Sequence, residues 1–592
     1  MKRIVHALSF TTATIMLMAI APVTQETYSA ELLARFDPAA TARNLCGGKT
    51  GAGGSMRAML SVAAALARSD TDVRTPLYKD WGQVHFPVTT ADPTAQRYFD
   101  QGLAFAYGFN HAGAVASFRE AQRLDPGCAM CYWGEALAHG PNINAPMDPA
   151  ANARAVGLAR YADWLARKGS PVEQALTNAM TRRYSADPNA ERAALDAAYA
   201  DAMLAAAAAH PANDDVALLA AEAAMDTRPW DYWQADRRTP QPRLGEAVRL
   251  VETVLDRNQN NPQAAHLYIH LMENGPDPKR AEAAADRLAA PLAPGAAHLV
   301  HMPAHIYYRL GRWKASMRVN IAAARADEEW IRASGDKGLV RYGYYPHNVH
   351  FIVTSAQMAG DMTTAIREAG RLEGILDPDT SAKIAWVQAI HAAPYFAAAQ
   401  FATPRQILAM HAPDARLPYA AAMRHYARAL AYAQQRSRAG FDRELSKMRS
   451  LRHSASVQPM IDQGVPAREL MQLAETVAQA RWAYASARYG EAEKLYRDAV
   501  AIEEKIPYME PPYWYYPVHQ SLGGVLYRQR RYDEALAAFT AALARSPNNG
   551  WALYGVVSSQ RALGRKVHAA AAEMALAAAW AGDPKWLRMD RL

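Results

Sequence analysis

Two distant stretches of the chain place small and large apolar residues at the same intervals. Counting from Ala95, a 34-residue unit puts Gly102 at position 8, Phe105 at 11, Ala114 at 20, Phe118 at 24, Ala121 at 27 and Pro126 at 32. Counting from Tyr516 puts Leu522 at 7, Gly523 at 8, Ala535 at 20, Phe539 at 24, Ala542 at 27 and Pro547 at 32. This spacing predicts a pair of antiparallel helices per unit. Small residues at 8 and 20 let the two helices approach, the aromatic at 24 fills the space between them, and 27 admits the next pair. The proline ends the second helix. The preceding unit keeps Tyr489, Ala492, Tyr496 and Ala499 in corresponding places, so consecutive pairs stack there.

The middle of the chain follows the same pattern more loosely. Gly311-Arg312-Trp313 and Gly360-Asp361 read as hairpin turns, and Ala323 and Ala365 match positions 27 and 20 of their units. Alternating Val/Ile/Thr runs bounded by turn residues are missing, which predicts no sheet. The pattern is that of the tetratricopeptide repeat. It predicts an all-α fold, a tetratricopeptide-like (TPR-like) α-solenoid of antiparallel helical hairpins forming a right-handed superhelix. A solenoid also suits 592 residues, too many for one core. The reading divides the chain into N-terminal TPR-like repeats at 85–240, His-rich central repeats at 241–400 and C-terminal TPR repeats at 401–592. Residues 226–245, rich in Pro and aromatics, interrupt the repeats as a loop laid on the stack.

Histidines supply the candidate chemistry. His266, His270 and Glu273 share one helix face by their spacing of four and three; so do His298, His301 and His305; His347 and His350 are three apart. In the repeat frame they occupy positions 2, 5, 9 and 12 of three successive first helices, which in tetratricopeptide proteins face the concave groove. Seven imidazoles and a carboxylate are thereby predicted to converge. Imidazole with a nearby carboxylate suits zinc, copper, iron or nickel, with zinc or copper expected, and Met302 would add a soft ligand favouring copper. A hydrogen-bonded histidine network without metal explains the same pattern. Pro303 either kinks the helix that carries His298 to His305 or stands in the first turn of a later one.

Composition adds less. A net charge of +8 with scattered Lys and Arg gives weak support to nucleic-acid binding, so no nucleic-acid partner is expected. Lys2-Arg3, an apolar run to Val23 and Ala19-Ile20-Ala21 predict a signal peptide within residues 1–30 and a periplasmic or secreted protein. The glycine-rich 31–84 reads as a flexible lead-in, and a start at Met56 would instead give a cytoplasmic protein. After signal removal no stretch is long and apolar enough for an integral membrane domain. Of three cysteines, Cys46 stands alone, and Cys128 and Cys131 form a CxxC that predicts a local disulfide or apolar packing. Trp230, Trp233 and Tyr513-Trp514-Tyr515-Tyr516 are core, or else an aromatic ligand shelf.

The stretches 85–111, 125–137 (DPGCAMCYWGEAL), 264–270 (AAHLYIH), 296–313 (AAHLVHMPAHIYYRLGRW) and 347–351 (HNVHF) resemble a family of exported bacterial tetratricopeptide proteins of unassigned biochemical function. The resemblance implies the fold and no reaction. Three functional readings remain. One is an exported scaffold holding a protein or peptide partner in its concave groove, with a metal site in the central repeats. Another is a metal-dependent hydrolytic enzyme using the same cavity, and the last is a metal-free protein-interaction adaptor.

Overall fold

Side-chain caps and prolines set where the helices begin. Asp92 accepts from the backbone N–H groups of Thr94 and Ala95 to start Pro93–Tyr107, Asn110 caps His111–Leu124, and Asn261 caps Pro262–Glu273. The computed structural model describes residues 75–592 except 188, 237, 291, 339 and 508. The predicted signal peptide, Cys46 and Met56 lie outside the described residues.

Helices follow one another as antiparallel pairs, and the described residues contain no strand beyond two isolated bridges, Asn142 with Ala145 and Trp233 with Pro240. The two strongest sequence repeats take the predicted form: Pro93–Tyr107 pairs with His111–Leu124, and Val518–Arg528 with Tyr532–Arg545. A Cβ placed on Gly102 would stand 2.7 Å from the Phe118 ring, and one on Gly523 would stand 2.7 Å from Phe539. The glycine at position 8 is thus the space that the aromatic at position 24 fills. None of the described helices is long and apolar enough to cross a membrane.

Both ends of the stack fold back onto its middle. At the N-terminal side, residues 75–84 form no helix and are held. Tyr78 and Trp81 pack on Phe105 and Trp330, and the Gly295 N–H donates to the Asp80 carbonyl. The interruption after Asp226 also packs as expected, Trp230 donating to the Ile143 carbonyl at 2.9 Å and Trp233 to that of Leu271 at 2.9 Å. At the C-terminal side, Trp551 donates to the Gln357 carbonyl at 2.8 Å and Ala581 N–H to that of Ala359 at 2.8 Å. The turns at Gly311 and Gly360 carry positive φ, 69° and 76°, and a side chain there would strike the Pro547 carbonyl or the Trp580 ring. These glycines turn their hairpins and admit the returning C-terminal repeats.

Pro303 breaks its helix. Ala297–His301 ends at Met302 and Pro303–Arg309 begins anew, with proline at the first helical position where its missing N–H costs nothing. Met302 is fully buried in the core.

Gly102 and Gly157 offer a paired test of the packing. Gly102→Ala is expected to destabilise the chain by about 1–3 kcal/mol through overpacking against Phe118. Gly157 sits in the helix Asn152–Ala166 with nothing within 4 Å of a Cβ. Gly157→Ala should therefore stabilise by about 0.4–1 kcal/mol. Denaturant unfolding of both variants reads the two signs, and equal effects would contradict the close helix contact at Gly102.

Candidate metal centre

Four helices, Pro262–Glu273, Ala297–His301, Pro303–Arg309 and Tyr345–Ala359, bring predicted histidines together as two separate triads. Ligand-capable atoms of His266, His270 and His298 lie within 4.8 Å of one another, and so do those of His301, His305 and His347. A third set, Glu273, His305 and Glu510, meets the same limit. His350 joins none of these sets and instead lines a cavity with His347 and Glu510. Glu273 faces its histidines' Nδ1 atoms, one oxygen 2.7 Å from that of His270 and the other 2.6 Å from that of His305. It therefore ties the two triads to one another.

Surrounding polar groups decide which ring nitrogen is bare. The Asn320 amide donates to the Ser316 carbonyl at 2.8 Å, leaving its Oδ1 to accept from His301 Nδ1 at 2.6 Å. Gln263 donates to Glu222 at 3.2 Å, so its Oε1 accepts from His266 Nδ1 at 2.9 Å. With Nδ1 protonated, Nε2 of each ring carries a lone pair. Those lone pairs point at other imidazoles: His301 Nε2 is 2.9 Å from His305 Nε2, and His266 Nε2 is 3.1 Å from His298 Nε2. His270 Nε2 and His298 Nδ1 have no hydrogen-bond partner among the described residues. Two nitrogens on one tetrahedral zinc, each about 2.05 Å away, stand about 3.3 Å apart. One nitrogen pair in each triad, at 3.1 and 2.9 Å, is close to that value, and the Nδ1 bonds are the outer contacts that metal-binding histidines make.

Burial governs the charge state. It drives His266 down to about 3, with His305 adding to the effect, and it pushes His270, His298, His301 and His347 well below the ordinary value. All five are neutral, the form that binds metal. Burial would depress His305 as well, but the Glu273 and Glu510 carboxylates outweigh it and lift this ring to about 10. Burial raises the Glu273 carboxyl to about 7 against the pull of His305. Without metal, His305 is an imidazolium that donates from Nε2 to His301; a bound cation would replace that proton.

The predicted groove is not open at this level, because the chain itself covers it. Phe109 lies 4.7, 6.0 and 5.1 Å from the rings of His266, His270 and His298. Trp230 sets its edge on His270 at 5.1 Å, and Tyr344 covers His298 at 4.8 Å. From the other side, Glu510 reaches His305 Nδ1 at 2.9 Å. A peptide cannot reach the histidines in this arrangement.

Glu510, Asn320, Gln263, Phe109 and Tyr344 are the site residues that the sequence reading missed. Glu510 lies in the Pro- and aromatic-rich insertion before Val518, so the break in the repeat was its one available signal. The neighbouring Tyr513 to Tyr516 are buried core, and Tyr513 and Tyr515 also line the cavity. Cys128 and Cys131 are buried and joined as a disulfide, and neither belongs to a triad.

His350 provides a pH test apart from the triads. Burial lowers it to about 3, below the unfolded value near 6.5, so the folded chain binds fewer protons between those limits. Its contribution then falls as pH drops below 6.5. Relative to His350→Gln, the parent should lose about 2 kcal/mol of stability from pH 7.5 to 5. A difference unchanged with pH would contradict the neutral assignment.

The tetratricopeptide repeat family pattern matches residues 517–549. No curated protein sequence matches the chain. Among solved structures, it is similar to a human IFIT1 dimer with m7Gppp-AAAA at 10% identity and TM-score 0.27, covering 83% of this chain and 91% of that one. Yeast Tom70 aligns at 12% identity and TM-score 0.25, over 84% and 94% of the two chains. The TPR domain of P58(IPK) aligns at 14% and TM-score 0.19, over 59% and 93%. The match at 517–549 coincides with the helical pair Val518–Arg528 and Tyr532–Arg545, and the described fold is a tetratricopeptide-like α-solenoid carrying that repeat.

Proposed function

We propose that this chain is an exported metal-binding scaffold whose central repeats hold transition metal ions in two all-imidazole triads. One observation carries the reading. Outer oxygens hold the Nδ1 protons of His266 and His301, so their bare Nε2 atoms face further imidazoles at 3.1 and 2.9 Å inside a buried centre. A metal-free network must instead keep His305 charged and leave His270 Nε2 unpartnered. An all-nitrogen donor set of this kind suits zinc or copper.

Export rests on the N-terminal sequence, and the Cys128–Cys131 disulfide supports an oxidising compartment. Helical-repeat stacks present extended surfaces to protein partners, and that general role extends to this chain. The partner surface would be the outside of the stack, since the inward face at the histidines is covered.

Metal analysis of the full chain after removal and reloading with zinc or copper tests the reading. Two ions per chain are expected, one for His301→Ala, and a tenfold to hundredfold weaker affinity for Glu273→Gln, which loses its hold on both triads. Absence of stoichiometric metal in the parent would overturn the proposal.

A further inference from the structure

The two triads differ in what surrounds them. The first, His266, His270 and His298, lies under Phe109, Trp230 and Tyr344, and each of its rings is at most 6% exposed. The second is bordered on one side by a cavity of ≈ 20 Å³ whose wall includes its own ligand His347, with His350, Glu510, Trp386, Phe396 and Tyr515. That volume holds about one water molecule. His347 and His350 keep part of their surface exposed, whereas His301 and His305 do not.

Three imidazoles leave a four-coordinate ion with one position to fill. We propose that the ion of the second triad fills it with a small exogenous ligand, water or a small anion, admitted from the cavity beside His347, while the first triad is closed by its aromatic cover. This rests on the metal-binding reading above. Size and chemistry both limit the ligand. A cavity of this volume, walled in part by Trp386, Phe396 and Tyr515, leaves no room for a peptide or a sugar, and His350, Glu510, Thr354 and Gln357 supply polar groups on its wall. Glu510 already accepts from His305 Nδ1 at 2.9 Å, so it orients a ligand histidine at the edge of the same space. His350 is neutral and offers a hydrogen-bonding nitrogen on the wall.

Cobalt(II) reports both occupancy and ligand exchange. The full chain is loaded with cobalt(II) and titrated with fluoride, an anion the size of water, while its visible bands are followed. The parent is expected to bind two cobalt ions, with fluoride altering the bands of one. His347→Ala should abolish the fluoride response and keep the first ion; His266→Ala should keep the response. Ala389→Leu, which fills the cavity from a wall position outside the triads, should bind both ions and weaken fluoride at least tenfold. Two cobalt ions without any fluoride response would overturn the inference and leave the metal reading standing. So would a response that survives His347→Ala or a fluoride affinity unchanged by Ala389→Leu. Failure to bind cobalt, zinc or copper would overturn both.

Discussion

Taking five neutral imidazoles and an ion pair out of water is the constraint around which the middle of this protein is built. A buried ring nitrogen without a partner costs free energy, and a cluster of them costs more. The chain satisfies the outer nitrogens one by one: Gln263 for His266, Asn320 for His301, Glu273 for His270 and Glu510 for His305. The inner nitrogens face one another, which is a stable arrangement once a cation lies between them. Glu273 couples the triads, because a change in either one pulls on the same carboxylate.

The repeat fold supplies the geometry. Successive first helices lie side by side, so residues at matching positions of neighbouring repeats converge without any special loop. The break at Pro303 falls between His301 and His305. Closure then comes from both ends. Phe109, at the first hairpin turn, covers one triad, and Glu510, from the insertion before the last repeats, braces the other. What would be an open groove in a shorter stack becomes an interior.

Local rules made much of this legible in the sequence. The Gly102/Phe118 and Gly523/Phe539 partners follow from position within a period, and the period also placed His266, His270, His298, His301, His305 and His347 on inward faces. Spacing along the helices could not show that these residues divide into two triads, because the division depends on which faces oppose one another. Nor could it show the enclosure. Phe109 is near its triad only through the path of the N-terminal hairpins, and Glu510 is 205 residues from His305. His350 shares a helix and a cavity wall with His347 but joins no triad, a difference that a spacing of three does not determine.

Anomalous X-ray scattering at the zinc or copper edge, from crystals of the metal-loaded chain, tests the central claim most directly. The account predicts two peaks inside the central repeats, one among His266, His270 and His298 and one among His301, His305 and His347. Metal bound only at the surface, or an empty centre with His301 hydrogen-bonded to His305 under saturating metal, would contradict it.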